Sequence, residues 1–193
     1  MPLKLIVGLG NPGVDYAATR HNAGAWFVEQ LAARCAVTLQ AERKFHGLVA
    51  RALVAEHDCR LLVPTTYMNN SGQAVAAISN FYKIDPGEIL IAHDELDFSA
   101  GVVKLKNGGG HGGHNGLHDI FNHKGKQFSR LRIGIGKPTN SKQTADYVLK
   151  RPSKSEQALI DDALAEVLAL MPLIMSGDIA NAMKELHTKP LKQ

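Results

Sequence analysis

The chain has 193 residues, 45% hydrophobic and 21% charged, a balance expected of one soluble globular domain large enough to build its own core. A net charge of +4 and a pI near 9.1 admit an anionic partner without requiring one. The two cysteines, Cys35 and Cys59, make neither a C-x-x-C nor a metal spacing and read as buried thiols of a reducing cytosol, which argues against a disulfide scaffold.

Residues 3–9 form an apolar run that predicts a first strand. Gly8, Gly10 and Pro12 interrupt it too early for a signal-peptide core. Trp26, Phe27, Leu31 and Cys35 then fall on one face of a helix predicted over 23–34, with His21 at its entrance and Asn22 as the N-cap. Strands are predicted at 48–55 and 60–64, joined by a hairpin through Glu56, His57 and Asp58. A helix follows at 71–82, with an Asn or Ser of the 69–71 segment as its cap, and then a strand at 88–93. Further strands are expected at 102–106 and 130–135, and further helices at 117–123 and 156–171. Pro172 should start a new helix or kink the old one. The apolar stretch 167–175 is too short to span a bilayer. Alternating strands and helices, with a hairpin among them, predict a single three-layer α/β domain over 1–193. Its sheet should be mixed and mostly parallel, flanked by helices, with C-terminal helices from about residue 153. The expected localisation is cytoplasmic, with no membrane association.

Four segments carry chemistry. Gly8-Leu9-Gly10-Asn11-Pro12-Gly13 matches the dinucleotide fingerprint G-x-G-x-x-G after a strand. Pro12 and the polar stretch to His21 delay the helix, however, and Ala33 and Arg34 stand where the ribose-binding acid belongs. Glycines that permit a tight turn explain the pattern better. His93-Asp94-Glu95-Leu96-Asp97 ends a buried-looking strand and leaves two readings open: a solvated strand end, or a carboxylate, Asp94, that orients an imidazole such as His21. Gly108 to Gly116, with His111, His114 and Asn115 among the glycines, allows close backbone approach to a ligand before a helix N-terminus. His93, His111 and His114 lack a zinc spacing, so no metal is expected. Lys104 and Lys106 share one strand face and Arg130 and Arg132 another. If those strands are neighbours, up to four cations line one surface suited to a phosphate-bearing ligand.

In order, these segments resemble bacterial-type peptidyl-tRNA hydrolases over nearly the whole chain. The resemblance rests on G-L-G-N-P-G at 8–13, Y-A-A-T-R-H-N-A-G at 16–24, P-T-T-Y-M-N-N-S-G at 64–72, H-D-E-L-D at 93–97, G-G-G-H-G-G-H-N-G at 108–116 and R-L-R-I-G-I-G at 130–136. It implies cleavage of the ester between an N-blocked peptide and the 3′ end of tRNA. It further implies a mobile lid near the cleft, a monomer, and no cofactor or obligatory protein partner. By the same resemblance His21 is the general base, Asp94 orients it, and Asn11 distinguishes blocked from free aminoacyl esters. Tyr16, Tyr67, Asn69, His114 and Asn115 match positions that contact substrate, and Lys106 and Arg132 match cations that receive a phosphate of the acceptor stem. Two departures are visible: His118 stands where the family usually has Lys or Arg, and residues 122–129 are shorter than in some relatives. No G-x-S-x-G elbow is present, so the expected chemistry is attack by water on the ester without a serine nucleophile or a metal. A nucleotide-dependent oxidoreductase and a non-catalytic RNA-binding module are the alternatives; the aromatic-rich RNA sheet motif is absent at 6% aromatic content.

Overall fold

Leu5, Ile6 and Val7 are inaccessible to solvent and form the middle of a sheet, as a short uniformly apolar run should. The computed structural model describes residues 1–188, so 189–193 of the predicted domain lie outside the described residues. Seven strands make one sheet in the order β2-β3-β4-β1-β5-β7-β6. They are β1 (Leu5–Gly8), β2 (Gln40–Glu42), β3 (Gly47–Val54), β4 (His57–Pro64), β5 (Ile89–Glu95), β6 (Val103–Asn107) and β7 (Ser129–Gly134). The adjacent strands β4, β1, β5 and β7 are mutually parallel, while β3 and β6 run the other way, giving a mixed, mostly parallel sheet.

The pleat sends alternate side chains to opposite faces, and each face has its own core. Ile6, Leu61, Leu90 and Leu131 pack under α1 (Ala23–Arg34), α5 (Lys154–Ala169), α6 (Met171–Met175) and α7 (Ile179–Thr188). Leu5, Val7, Leu62 and Ile91 pack under α2 (Ser71–Phe81) and α3 (Asn115–Lys124). A short helix, α4 (Thr144–Val148), buries only Val148. Pro172 falls in the first turn of α6 and so begins a helix, as its missing N–H favours. Among the described residues no helix is long and apolar enough to cross a membrane.

Three local expectations give way. The hairpin turns at Ala55 and Glu56, with φ of 46° and 68°, and not at 56–58. Two consecutive left-handed residues match the twist of the flanking strands, so β4 starts at His57. Neither Asn22 nor Asn70 caps its helix with its side chain. At α2 the cap comes from α3, whose Asp119 Oδ2 accepts from Gly72 N at 2.7 Å. Cys59 is buried but Cys35 only half so.

The glycines of the 8–13 motif serve packing. A Cβ on Gly8 would lie 2.3 Å from the Gly24 carbonyl oxygen of α1, and one on Gly10 would lie 2.8 Å from Asn22 Nδ2. Gly13 makes the turn, at φ 97°. The space beside this turn is therefore filled by α1 and Asn22, against the arrangement a bound pyrophosphate needs.

Candidate active site

The carboxyl ends of β1, β4 and β5 lie at one edge of the sheet, the usual ligand edge of a parallel array. The loop after β1 delivers Asn11, Tyr16 and His21, the loop after β4 delivers Tyr67 and Asn69, and β5 carries Asp94 in its last turn of pleat. Because β6 is antiparallel, it ends at the opposite edge, where Asn107 pairs with Ser129. The glycine-rich segment must then carry the chain back across the sheet to His114 and Asn115. Positive φ at Gly108, Gly109, Gly112 and Gly113 makes that path possible. Arg130, buried on β7, fastens it by donating from Nη1 to Gly110 O at 2.8 Å and from Nη2 to Gly108 O.

His21 Nδ1 lies 2.9 Å from Asp94 Oδ1 and 3.0 Å from Oδ2. His114 Nε2 lies 2.9 Å from the same Oδ1. His114 Nδ1 accepts from Leu117 N at 3.3 Å, which fixes the proton on Nε2 and makes that nitrogen a donor to Asp94. An ionised carboxylate only accepts, so His21 must likewise donate from Nδ1 and keep its Nε2 lone pair free. Burial alone would push the Asp94 carboxyl up, but the two imidazoles outweigh it and hold it well below the usual carboxylate range. Burial pushes His21 down; the Asp94 charge and hydrogen bond more than reverse this, and its pKa ends above 6.5.

His93 is held differently. Its Nδ1–H donates to the backbone carbonyl of Asp94 at 2.7 Å, its Nε2 is buried without a partner, and burial above all drives its pKa down to about 3. It is a neutral ring packed edge-on against His114, 5.1 Å between centroids.

A cavity of about 270 Å³ opens onto this cluster. His21, Asp94, His114 and Asn115 line it, with Thr144, Ala145 and Val148 of α4 as a further wall. Asn11, Tyr16, Tyr67 and Asn69 are not in that lining. Asn11 is tied to both neighbouring loops: its Oδ1 accepts from Met68 N at 2.7 Å, and Asn22 grips its backbone through bonds of 2.9 and 3.0 Å. Tyr16 and Tyr67 meet edge to face with centroids 6.3 Å apart. Tyr67 and Asn69 are exposed.

Both cation strands are neighbours, with Lys104 opposite Arg132 and Lys106 opposite Arg130. The four charges do not form one free surface, however. Arg130 is spent on the glycine loop, and Lys104 and Arg132 lie over the Phe98 ring at 4.8 and 4.5 Å. Arg132 Nε also donates to Glu95 Oε2 at 2.9 Å, and its side chain stays partly exposed. Lys106 is exposed beside Gly109.

His21, Asp94 and His114 are also the one set among the described residues whose ligand atoms, within 4.8 Å of one another, satisfy the proximity a metal requires. Here those atoms already serve one another as hydrogen-bond donors and acceptors. The wall from α4, the Asn22 grip on Asn11 and the Arg130 anchor had no sequence expectation. α4 is too short for periodicity to show, and the other two depend on contacts between distant loops.

The peptidyl-tRNA hydrolase family model matches residues 5–193. The peptidyl-tRNA hydrolase of Acinetobacter baylyi is 55% identical over 185 residues, covering 96% of each chain. That of Chromohalobacter salexigens is 56% identical over 188 residues, covering 96% of this chain and 97% of the relative. A crystal structure of peptidyl-tRNA hydrolase from Acinetobacter baumannii superposes with a TM-score of 0.94 at 53% identity, over 96% of this chain and 95% of that one. A complex of peptidyl-tRNA hydrolase with N-propanol gives 0.96 at 52%, over 98% and 97%.

Proposed function

This chain belongs to the peptidyl-tRNA hydrolase family, and from that premise we propose that it hydrolyses the ester joining an N-blocked peptide to the 3′ end of tRNA, with His21 as the general base. The observation that carries the mechanism is the His21 Nδ1–Asp94 pair at 2.9–3.0 Å beside the cavity, which leaves Nε2 as the proton acceptor.

His21 Nε2 takes a proton from water as its oxygen attacks the ester carbonyl. Asp94 stabilises the imidazolium so formed, and that imidazolium returns the proton to the departing ribose oxygen. A positioned base is worth about 10²–10⁴-fold. The Asn11 side chain, its oxygen engaged by Met68 N, offers its amide hydrogens to the substrate, and Asn115 offers a second amide from the α3 N-terminus. One donor to the developing oxyanion is worth roughly 2.7–4 kcal/mol. Tyr16, Tyr67 and Asn69, on the outer rim, suit contacts to the 3′-terminal nucleotide or the peptide. His114 serves by holding Asp94. Lys106 and Arg132 bind a phosphate of the acceptor stem, the first freely and the second from its Glu95-oriented fork. No metal enters this scheme, because the three candidate ligands are used as the base, its orienting acid and that acid's second donor.

The test is deacylation of N-acetylaminoacyl-tRNA and free aminoacyl-tRNA by the native chain and by His21→Ala. The native chain should cleave the blocked ester selectively, and the folded variant should lose at least about 10²-fold in kcat. Near-native cleavage by His21→Ala would remove His21 as the base.

A further inference from the structure

Arg20, next to the proposed base, is 8% exposed, with its guanidinium turned to α4 and the start of α5. Nη1 donates to Tyr147 O at 3.4 Å and to Lys150 O at 3.3 Å, Nη2 pairs with Glu156 Oε2 at 3.0 Å, and the guanidinium lies 4.1 Å above the Tyr147 ring. Its backbone N also donates to Lys150 O at 3.1 Å. Every one of these partners belongs to α4, to the turn that follows it, or to the first turn of α5.

α4 has five residues and one buried side chain, too little to hold its own shape or place in water. Its last carbonyls have no partner within the helix, and a buried arginine fork suits them in both geometry and charge. The same helix presents Thr144, Ala145 and Val148 to the cavity that His21 lines. A second tether, Tyr147 Oη donating to Ile135 O at 2.7 Å, fixes α4 to the end of β7.

We propose that Arg20 is a positioning residue that locks the α4 wall of the cleft to the His21 loop, so that wall and base keep a fixed separation. Glu156 completes the lock. Its Oε2 also accepts from Ser153 N at 2.7 Å, which anchors the guanidinium to the start of α5. The Arg20 side chain makes no hydrogen bond to the His21 ring or to Asp94, whose basicity is set by their own pair. The lock therefore governs where the ester carbonyl sits against His21 and leaves the proton affinity of His21 alone. This role rests on the assignment of His21 as base, but its structural half can be measured without any substrate.

The experiment uses Arg20→Lys and Glu156→Gln in the full chain, with amide hydrogen exchange and the pH dependence of kcat on N-acetylaminoacyl-tRNA. Lysine keeps the charge but cannot span two carbonyls and a carboxylate, and glutamine keeps an acceptor for Ser153 N. In both variants the amides of 144–150 should exchange faster while β1, β5 and α1 keep native protection. The rate should fall by about 10–100-fold for Arg20→Lys, as expected for a misplacement near 1 Å, and less for Glu156→Gln. The acid limb of the pH profile should keep its native midpoint. Unchanged exchange over 144–150 in Glu156→Gln, native rates despite faster exchange, or a displaced acid limb would each overturn the proposal. So would loss of core protection in step with α4, which would make Arg20 a support of the whole fold. Failure of the native chain to cleave the blocked ester would instead strike the assignment of His21, with the exchange result still deciding whether Arg20 holds α4.

Discussion

Replacing Asp94 by Asn exchanges one carboxylate oxygen for an NH2 group and should disable the site through a proton. Asp94 Oδ1 accepts from both imidazoles and Oδ2 accepts from His21. An asparagine can keep its oxygen at the Oδ1 position, but its NH2 then replaces Oδ2, 3.0 Å from a ring nitrogen that itself donates. His21 relieves that clash by moving its proton to Nε2 and accepting at Nδ1, which closes the lone pair that must receive the proton of water. An aspartate-to-asparagine change that leaves a catalytic imidazole in the wrong tautomer lowers kcat by about 10⁴-fold, and general-base help spans about 10²–10⁴-fold, so a loss within that range is expected. The pH profile gives an independent sign. As the proposed base His21 works when neutral, so native activity should fall as pH drops through its raised pKa. Asp94→Asn removes both raising influences and leaves burial, which lowers the value, so the variant's acid limb must move to lower pH. The deficit should accordingly shrink on acidification. Single-turnover deacylation of N-acetylaminoacyl-tRNA across the acid limb measures both effects. A folded variant within about threefold of native, less than any general-base role allows, or one whose acid limb is unmoved, would refute the pairing of base and orienting acid.

Lys106→Ala and Arg132→Ala should weaken binding of full-length tRNA substrates and lower the salt-dependence slope by about 0.7–0.9 each, with cleavage of a short 3′-end ester little changed. Equal losses on both substrates would move these cations into the fold or the active site. Dialysis against EDTA should leave the rate intact; loss restored by one added metal would make the His21, Asp94 and His114 cluster a metal site. Gly8→Ala, whose Cβ would sit 2.3 Å from a carbonyl oxygen of α1, should destabilise the fold by about 1–3 kcal/mol or more in a denaturant titration, and an unchanged midpoint would show that α1 can move away.

The elements that periodicity revealed are those with a face to bury. β1, β5, α1 and α2 bury long apolar stretches and lie within a few residues of their predicted bounds. β2 exposes all three of its residues and α4 buries one, so neither writes a pattern into the sequence. Ala55 and Glu56 carry none of the side chains that mark a left-handed turn, which is why the hairpin was displaced. His21 and Asp94 were legible as residue types, the first at a helix entrance and the second at a strand end. Their meeting was not, because it needs the parallel register that sets β1 beside β5, with Gly8 level with Ala92.

The same limit separates Arg130 from Arg132. Two positions apart on β7, they share a face, and alternation alone assigns both to a ligand surface. Burial divides them: Arg130 is 3% exposed beneath the glycine loop, while Arg132 keeps contact with solvent. The loop can lie over Arg130 only because β6, being antiparallel, releases the chain at the wrong edge and obliges it to return. A buried cation must find acceptors there, and the carbonyls of a glycine-rich segment are the ones within reach. The glycines thus do two things that a sequence motif merges. They make the backbone carbonyls accessible to Arg130, and they bring His114 to Asp94, where its N–H supplies the second donor that holds the carboxylate toward His21.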